Sequence, residues 1–131
     1  EPMALYLATA GDAASFKAAQ IIHDLRAEGV ACAFDTVGRS IKAQMKYANK
    51  TGADFTAVIG DNELESGTVQ LKYMETGETT EVKLDTFAED FQQIAMNAAM
   101  SALQAELNTS EGDLANVDLS ALLGGNTTWT E

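Results

Sequence analysis

The apolar positions set the order of elements along the chain. Met3 to Thr9 is nearly continuous in apolar residues, the pattern of a central strand buried on both faces. After a turn at Ala10-Gly11-Asp12, residues Ala14, Ala18, Ile21, Ile22 and Leu25 recur at helical spacing, and Gly29 is placed to cap that helix. Val30 to Thr36 reads as a second strand. Ile41, Met45 and Ala48 then form an i, i+4, i+7 line, which predicts a helix seated on a sheet and ended by Gly52. Phe55 to Gly60 is the third strand. The order β-α-β-α-β belongs to a parallel sheet with right-handed crossovers.

After residue 60 the pattern changes. Asp61 to Gly67 reads as a polar turn. Within Thr68 to Met74, Val69, Leu71 and Tyr73 alternate with Gln70, Lys72 and Met74, and Glu75-Thr76-Gly77-Glu78 predicts a hairpin into Thr79 to Leu84. So short a connection forces antiparallel pairing, and the sheet becomes mixed. Thr86 and Glu89 have capping-box spacing at the head of a last helix, whose buried line is Phe87, Phe91, Ile94 and Ala98. The segment 108–131 loses periodicity and is rich in Asn, Thr, Ser, Gly and acid, so a flexible acidic tail is expected, with a helical turn at Leu119 to Leu123. The division expected is one domain over 1–107 and a tail over 108–131. A chain of 131 residues has room for one core.

Charge narrows the kind of partner. The net charge is −12, yet Arg39, Lys42, Lys46 and Lys50, half of the 8 basic residues, recur at spacings of three, four and four on one predicted helical stripe. No acidic residue lies between Thr36 and Thr51, whereas every charged residue after Leu84 is acidic. A local positive field in acidic surroundings suits a polyanion better than a neutral metabolite.

Candidate catalytic chemistry is sparse. Cys32 is the one cysteine, so an internal disulfide and a cysteine cluster for zinc are excluded, and its apolar neighbours predict a small buried residue. His23 is the one histidine and reads as a structural, partly exposed side chain. Neither a P-loop nor G-x-G-x-x-G occurs. Thr9 to Ser15, with a single glycine, matches a flavodoxin-like phosphate loop weakly, which leaves a flavodoxin-like small-ligand protein as an alternative. Glu63 and Lys72 offer a different chemistry. A carboxylate accepts from the amino and imino groups of a base edge and a lysine donates to guanine O6 or N7, although the two could equally pair with each other or with neighbours across the strands. There is no run of eighteen apolar residues, and Glu1-Pro2 leads straight into a strand-like segment; neither a membrane span nor a signal peptide is expected, and the location expected is cytoplasmic.

Three stretches carry a family resemblance: Leu25 to Val30, Gly38-Arg39-Ser40-Ile41-Lys42-Ala43-Gln44-Met45-Lys46-Tyr47-Ala48-Asn49-Lys50, and Val58 to Lys72 with Glu63 and Gly67 inside it. Together they resemble the C-terminal anticodon-binding domain of class IIa aminoacyl-tRNA synthetases, in particular of the histidyl-tRNA synthetases, over about Met3 to Ile94. The resemblance implies a three-layer α/β/α fold with a five-stranded mixed sheet in order 2-1-3-4-5 and strand four antiparallel. It implies binding of the anticodon loop of histidine tRNA, with ATP-dependent histidylation on a separate catalytic domain expected before residue 1. ATP and magnesium are then expected there, and no cofactor in this domain. Carried over by position, RNA contacts fall on Lys46, Glu63 and Lys72, with Arg39 and Lys42 matching the motif as phosphate contacts. The parent is expected to be a homodimer and this domain alone a monomer. A regulatory synthetase paralogue working through protein-protein contacts is the alternative, against which the five retained charged residues argue. The basic-free stretch 85–131 is longer than the usual ending of such a domain and opposes RNA by repulsion, within a Debye length of about 8 Å.

Overall fold

A computed structural model of the chain describes residues 2–109. It comprises one unit ending at Gln92 and a second beginning at Gln93. The elements are β1 (Leu5–Thr9), α1 (Asp12–Ala27), β2 (Cys32–Phe34), α2 (Ile41–Thr51), β3 (Phe55–Ile59), α3 (Asp61–Ser66), β4 (Thr68–Tyr73), β5 (Thr79–Lys83) and α4 (Phe87–Thr109). The sheet order is β2-β1-β3-β4-β5. β1 is parallel to β2 and β3, while β4 is antiparallel to both of its neighbours. The expected α/β architecture is therefore present, and β4 separates it from the all-parallel sheet of the flavodoxin-like alternative.

Local chemistry explains most boundaries. At the end of α1, the Gly29 amide donates to the Arg26 carbonyl and the Val30 amide to that of Leu25, a Schellman closure that Gly29 permits at φ +85°. Gly52 ends α2 in the left-handed conformation. Two apolar runs overshoot their strands: β1 begins at Leu5 rather than Met3, and β2 is only Cys32–Phe34, the three residues that register with Leu5, Tyr6 and Leu7.

Two expectations are corrected. Asp61 to Ser66 is a helix, not a turn. It buries none of its residues, so it shows no apolar period; its signals are acid in the first turn and Gly67 as a left-handed cap. At the head of α4, Thr86 donates to the Asp90 carboxylate at 2.6 Å instead of forming a capping box with Glu89. The boundary expected at 107/108 falls within α4, which runs to Thr109, and the tail with its turn at 119–123 lies outside the described residues from 110 onward. In the second unit, residues 93–109 continue as helix, with Met96, Met100 and Leu103 exposed.

Successive right-handed crossovers in opposite directions along the sheet put α1 and α2 on opposite faces. β1 divides the core accordingly. Tyr6 and Ala8 pack with Ala48 and Ala53, and Met3, Ala33, Ile41, Met45 and Val58 close this layer under α2. Leu5 lies beside Phe55 in register on the other face, where Phe55 stacks on Tyr73 at 4.8 Å and meets Phe91 edge-on at 5.3 Å. Cys32 is buried and free, and burial raises its thiol pKa above the usual range despite Arg26 nearby, which matches a packing residue.

One polar atom in this core stands out. The Tyr6 hydroxyl is fully buried and makes no hydrogen bond of ordinary geometry, although Arg39 lies close by; burial, with the charge of Asp35, raises its pKa. An unsatisfied buried hydroxyl costs about 1–3 kcal/mol. Tyr6→Phe is therefore expected to raise stability, by about 1 kcal/mol in a urea titration. A loss of similar size would mean that the hydroxyl is bonded in solution.

Candidate nucleic-acid interface

The basic helix is tied to the sheet by a residue that the charge pattern hides. Gln44 is fully buried. Its Oε1 accepts from the Thr9 amide at 2.8 Å, and its Nε2 donates to the Thr9 carbonyl at 2.8 Å and to the Arg39 carbonyl at 2.7 Å. The last residue of β1 is thereby locked to the first turn of α2. Ser40 caps that turn, its hydroxyl accepting from the Ala43 amide. In the sequence, Gln44 reads as one more polar residue on an amphipathic helix. Its place between Ile41 and Met45 on one side and Ala48 on the other is the signal that was available.

The five candidate residues are not equivalent. Arg39 precedes Ser40 and so lies outside α2, which departs from the expected four-residue helical stripe. Its Nε donates to Asp35 Oδ1 at 2.8 Å, and its guanidinium lies over the Tyr47 ring, 4.9 Å from the centroid. Asp35 is buried and also accepts from the amides of Gly38 and Arg39. Burial alone would raise the Asp35 pKa. The hydrogen bonds from Arg39 and from the two amides outweigh it, so the net shift is downward. Lys42, Lys46 and Lys50 are exposed on α2, and none of them pairs with a carboxylate among the described residues.

Glu63 and Lys72 are brought together by unequal coverage of the sheet. α2 covers one face only as far as β3. Lys72 registers with Thr56 of β3 and Thr79 of β5, so Gln70, Lys72 and Thr79 lie on the α2 face beyond that helix. Glu63 is the third residue of α3, and its Oε1 accepts from the Gly60 amide at 2.8 Å, which fixes the carboxylate and leaves Oε2. Met45, Val58, Glu63, Gln70, Lys72 and Thr79 line a depression of about 220 Å³. A second, wider depression along α2 holds Lys42, Lys46 and Asn49, and Met45 borders both. The lysine stripe and the Glu63–Lys72 pair thus form one continuous surface. Its chemistry is an acceptor and donors over an apolar floor, edged by exposed cations, which suits a splayed base next to its phosphates. His23 is exposed on α1 and belongs to neither depression.

Residues 5–94 match the family described as the anticodon binding domain. The chain belongs to that family. Within it, this anticodon-binding domain is similar to the histidine–tRNA ligase of Acetivibrio thermocellus, at 48% identity over 82 residues, covering 63% of the chain and 20% of that protein. The histidine–tRNA ligase of Halothermothrix orenii is 43% identical over 90 residues, covering 69% and 22%. Among solved structures, apo S. aureus histidyl-tRNA synthetase superposes with a TM-score of 0.66 at 42% identity, over 70% of this chain and 27% of that one. The chain thus spans about one fifth of the length of the curated relatives it matches.

Two outcomes are expected. Gln44→Leu keeps the volume but strands the Thr9 amide and two carbonyls, so it should cost about 2 kcal/mol in a urea titration. Asp35 has a depressed pKa in the folded state, so its contribution is present above the ordinary carboxylate range near pH 4 and lost as pH falls through the lower folded value. Asp35→Asn should therefore melt lower than the unaltered chain at pH 7, and the gap should close as pH falls below the ordinary carboxylate range. A gap that stays constant over that range would show that the carboxylate charge contributes nothing.

Proposed function

We propose that this chain is the anticodon-reading part of a histidine–tRNA ligase. On this reading, Lys42 and Lys46 hold loop phosphates while Glu63 and Lys72 read a base. The observation that carries it is the join at Met45: lysines with no carboxylate partner among the described residues lead directly into a small depression holding one carboxylate and one ammonium group. The similar proteins are named as histidine–tRNA ligases, which supports the histidine tRNA, anticodon GUG, as the partner. ATP-dependent histidylation, with its ATP and magnesium, belongs to a catalytic domain outside these 131 residues. The parent is a cytoplasmic homodimer formed through that catalytic domain, and this domain by itself is a monomer. No helix among the described residues is long and apolar enough to cross a membrane.

In mechanism, the protein has no bond to make here and only supplies fit. The cations neutralise phosphate and release counterions, giving modest affinity with a steep salt dependence. Specificity comes from Glu63. With Oε1 held by Gly60, Oε2 accepts from the N1–H and N2–H edge of a guanine, and Lys72 donates to a neighbouring acceptor. No other base presents two adjacent donors, so cytosine, uracil or adenine gives that oxygen one hydrogen bond at most, a discrimination of about 1–3 kcal/mol.

The test is a titration of the 131-residue chain with a labelled GUG anticodon stem-loop and with a loop whose three bases are exchanged, each at two salt concentrations. GUG should bind more tightly, and both loops should weaken with salt. Glu63→Gln should erase the preference at one base and leave the salt slope unchanged, whereas Lys46→Gln should weaken both loops alike and lower the slope by about one. Equal affinity for the two loops would sink the base-reading role.

A further inference from the structure

The lysine stripe of α2 has two edges. At about 100° per residue, Met45 lies on one flank of Lys42, Lys46 and Lys50, beside the Glu63–Lys72 depression, and Tyr47 lies on the other. Tyr47 is 39% exposed, and its ring sits 5.7 Å from that of Tyr6 on β1. Over it lies the Arg39 guanidinium, pinned along one side by the bond from Nε to Asp35, a carboxylate itself fixed by two backbone amides. Even so, the Arg39 side chain remains 37% exposed.

A cation whose task is to meet phosphate needs none of this bracing, as the unpaired lysines beside it show. What the bracing produces is a planar group held beside an aromatic ring and still partly open to solvent. Unpaired bases stack on guanidinium planes of this kind, and the buried carboxylate removes the freedom that stacking would otherwise have to freeze out. We propose that Arg39 and Tyr47 form a stacking platform for one unpaired base of the bound RNA loop, across the lysine stripe from the base held by Glu63 and Lys72. This rests on the anticodon-loop reading and gives Arg39 a different task from the phosphate contact expected of it. The ligand is any single-stranded nucleobase, because stacking uses the face and not the edge of the ring. A loop laid along α2 would then be gripped by its phosphates in the middle and by a base on either side.

The test pairs protein variants with stem-loops in which one loop nucleotide at a time is made abasic. At one position, distinct from the base whose identity Glu63→Gln ceases to read, the abasic loop should bind the unaltered chain about tenfold more weakly. The same loss is expected with Tyr47→Phe, which keeps the ring. With Arg39→Lys, which keeps the charge and loses the plane, and with Tyr47→Leu, removing that base should cost nothing further. Tyr47→Leu leaves the Asp35–Arg39 pair in place and carries the test if Arg39→Lys does not fold. If both variants bind every loop as tightly as the unaltered chain, or lose the same factor for all abasic loops, the platform is overturned. If the unaltered chain binds no stem-loop at low salt, the anticodon-loop reading falls and the platform falls with it.

Discussion

The Gln44 side chain is the joint on which the rest of the surface depends. It satisfies both the amide and the carbonyl of Thr9 at the end of β1 and the Arg39 carbonyl at the entrance to α2. A buried amide side chain with three good partners is stable in place, and leaving any of those backbone groups unmet is costly. The consequence is positional. Lys42, Lys46, Met45 and Tyr47 all project from a helix whose first turn is fixed against the central strand, so their spacing from residues on β3 and β4 is set by the fold.

The second determinant is that the sheet is covered unevenly. α1 and the head of α4 lie on one face, and Phe55 and Tyr73 reach Phe91 there. On the other face α2 stands alone, and the α2-facing positions of β4 and β5 are polar: Gln70, Lys72, Thr79 and Glu81. An antiparallel hairpin with one apolar and one polar side can leave the polar side in water. That exposed ledge beside Met45, with the N-terminal turn of α3 delivering Glu63, is where the candidate site forms.

Electrostatics separates recognition from repulsion. The chain carries −12 overall, yet three lysines are gathered on α2 with Lys72 beside them on β4, and none of these four pairs with a carboxylate among the described residues. The exposed lysines of α2 supply an attraction for anions without fixed geometry. Arg39 is held by Asp35 and Tyr47 and supplies geometry instead. The braced cation thus stands just before α2 and the exposed ones along it.

The apolar periods by themselves determined the order of elements and the mixed sheet: the buried run of β1, the stripe of α1, and the alternation of Val69, Leu71 and Tyr73 are each dictated by which residues must leave water. The positive stripe of Lys42, Lys46 and Lys50 was equally legible, since a helix repeats every 3.6 residues whatever it packs against. Other features needed the third dimension. α3 was invisible because it buries nothing, so it left no apolar period to read. Asp35 gave no sign of burial, and Gln44 only that of its apolar helical neighbours, because a polar residue goes inside only where partners meet it, and those partners are largely backbone groups with no sequence signature. Glu63 and Lys72 are nine positions apart on different elements. Only the antiparallel register of β4 against β3, and the reach of α2 over the sheet, put them around one depression.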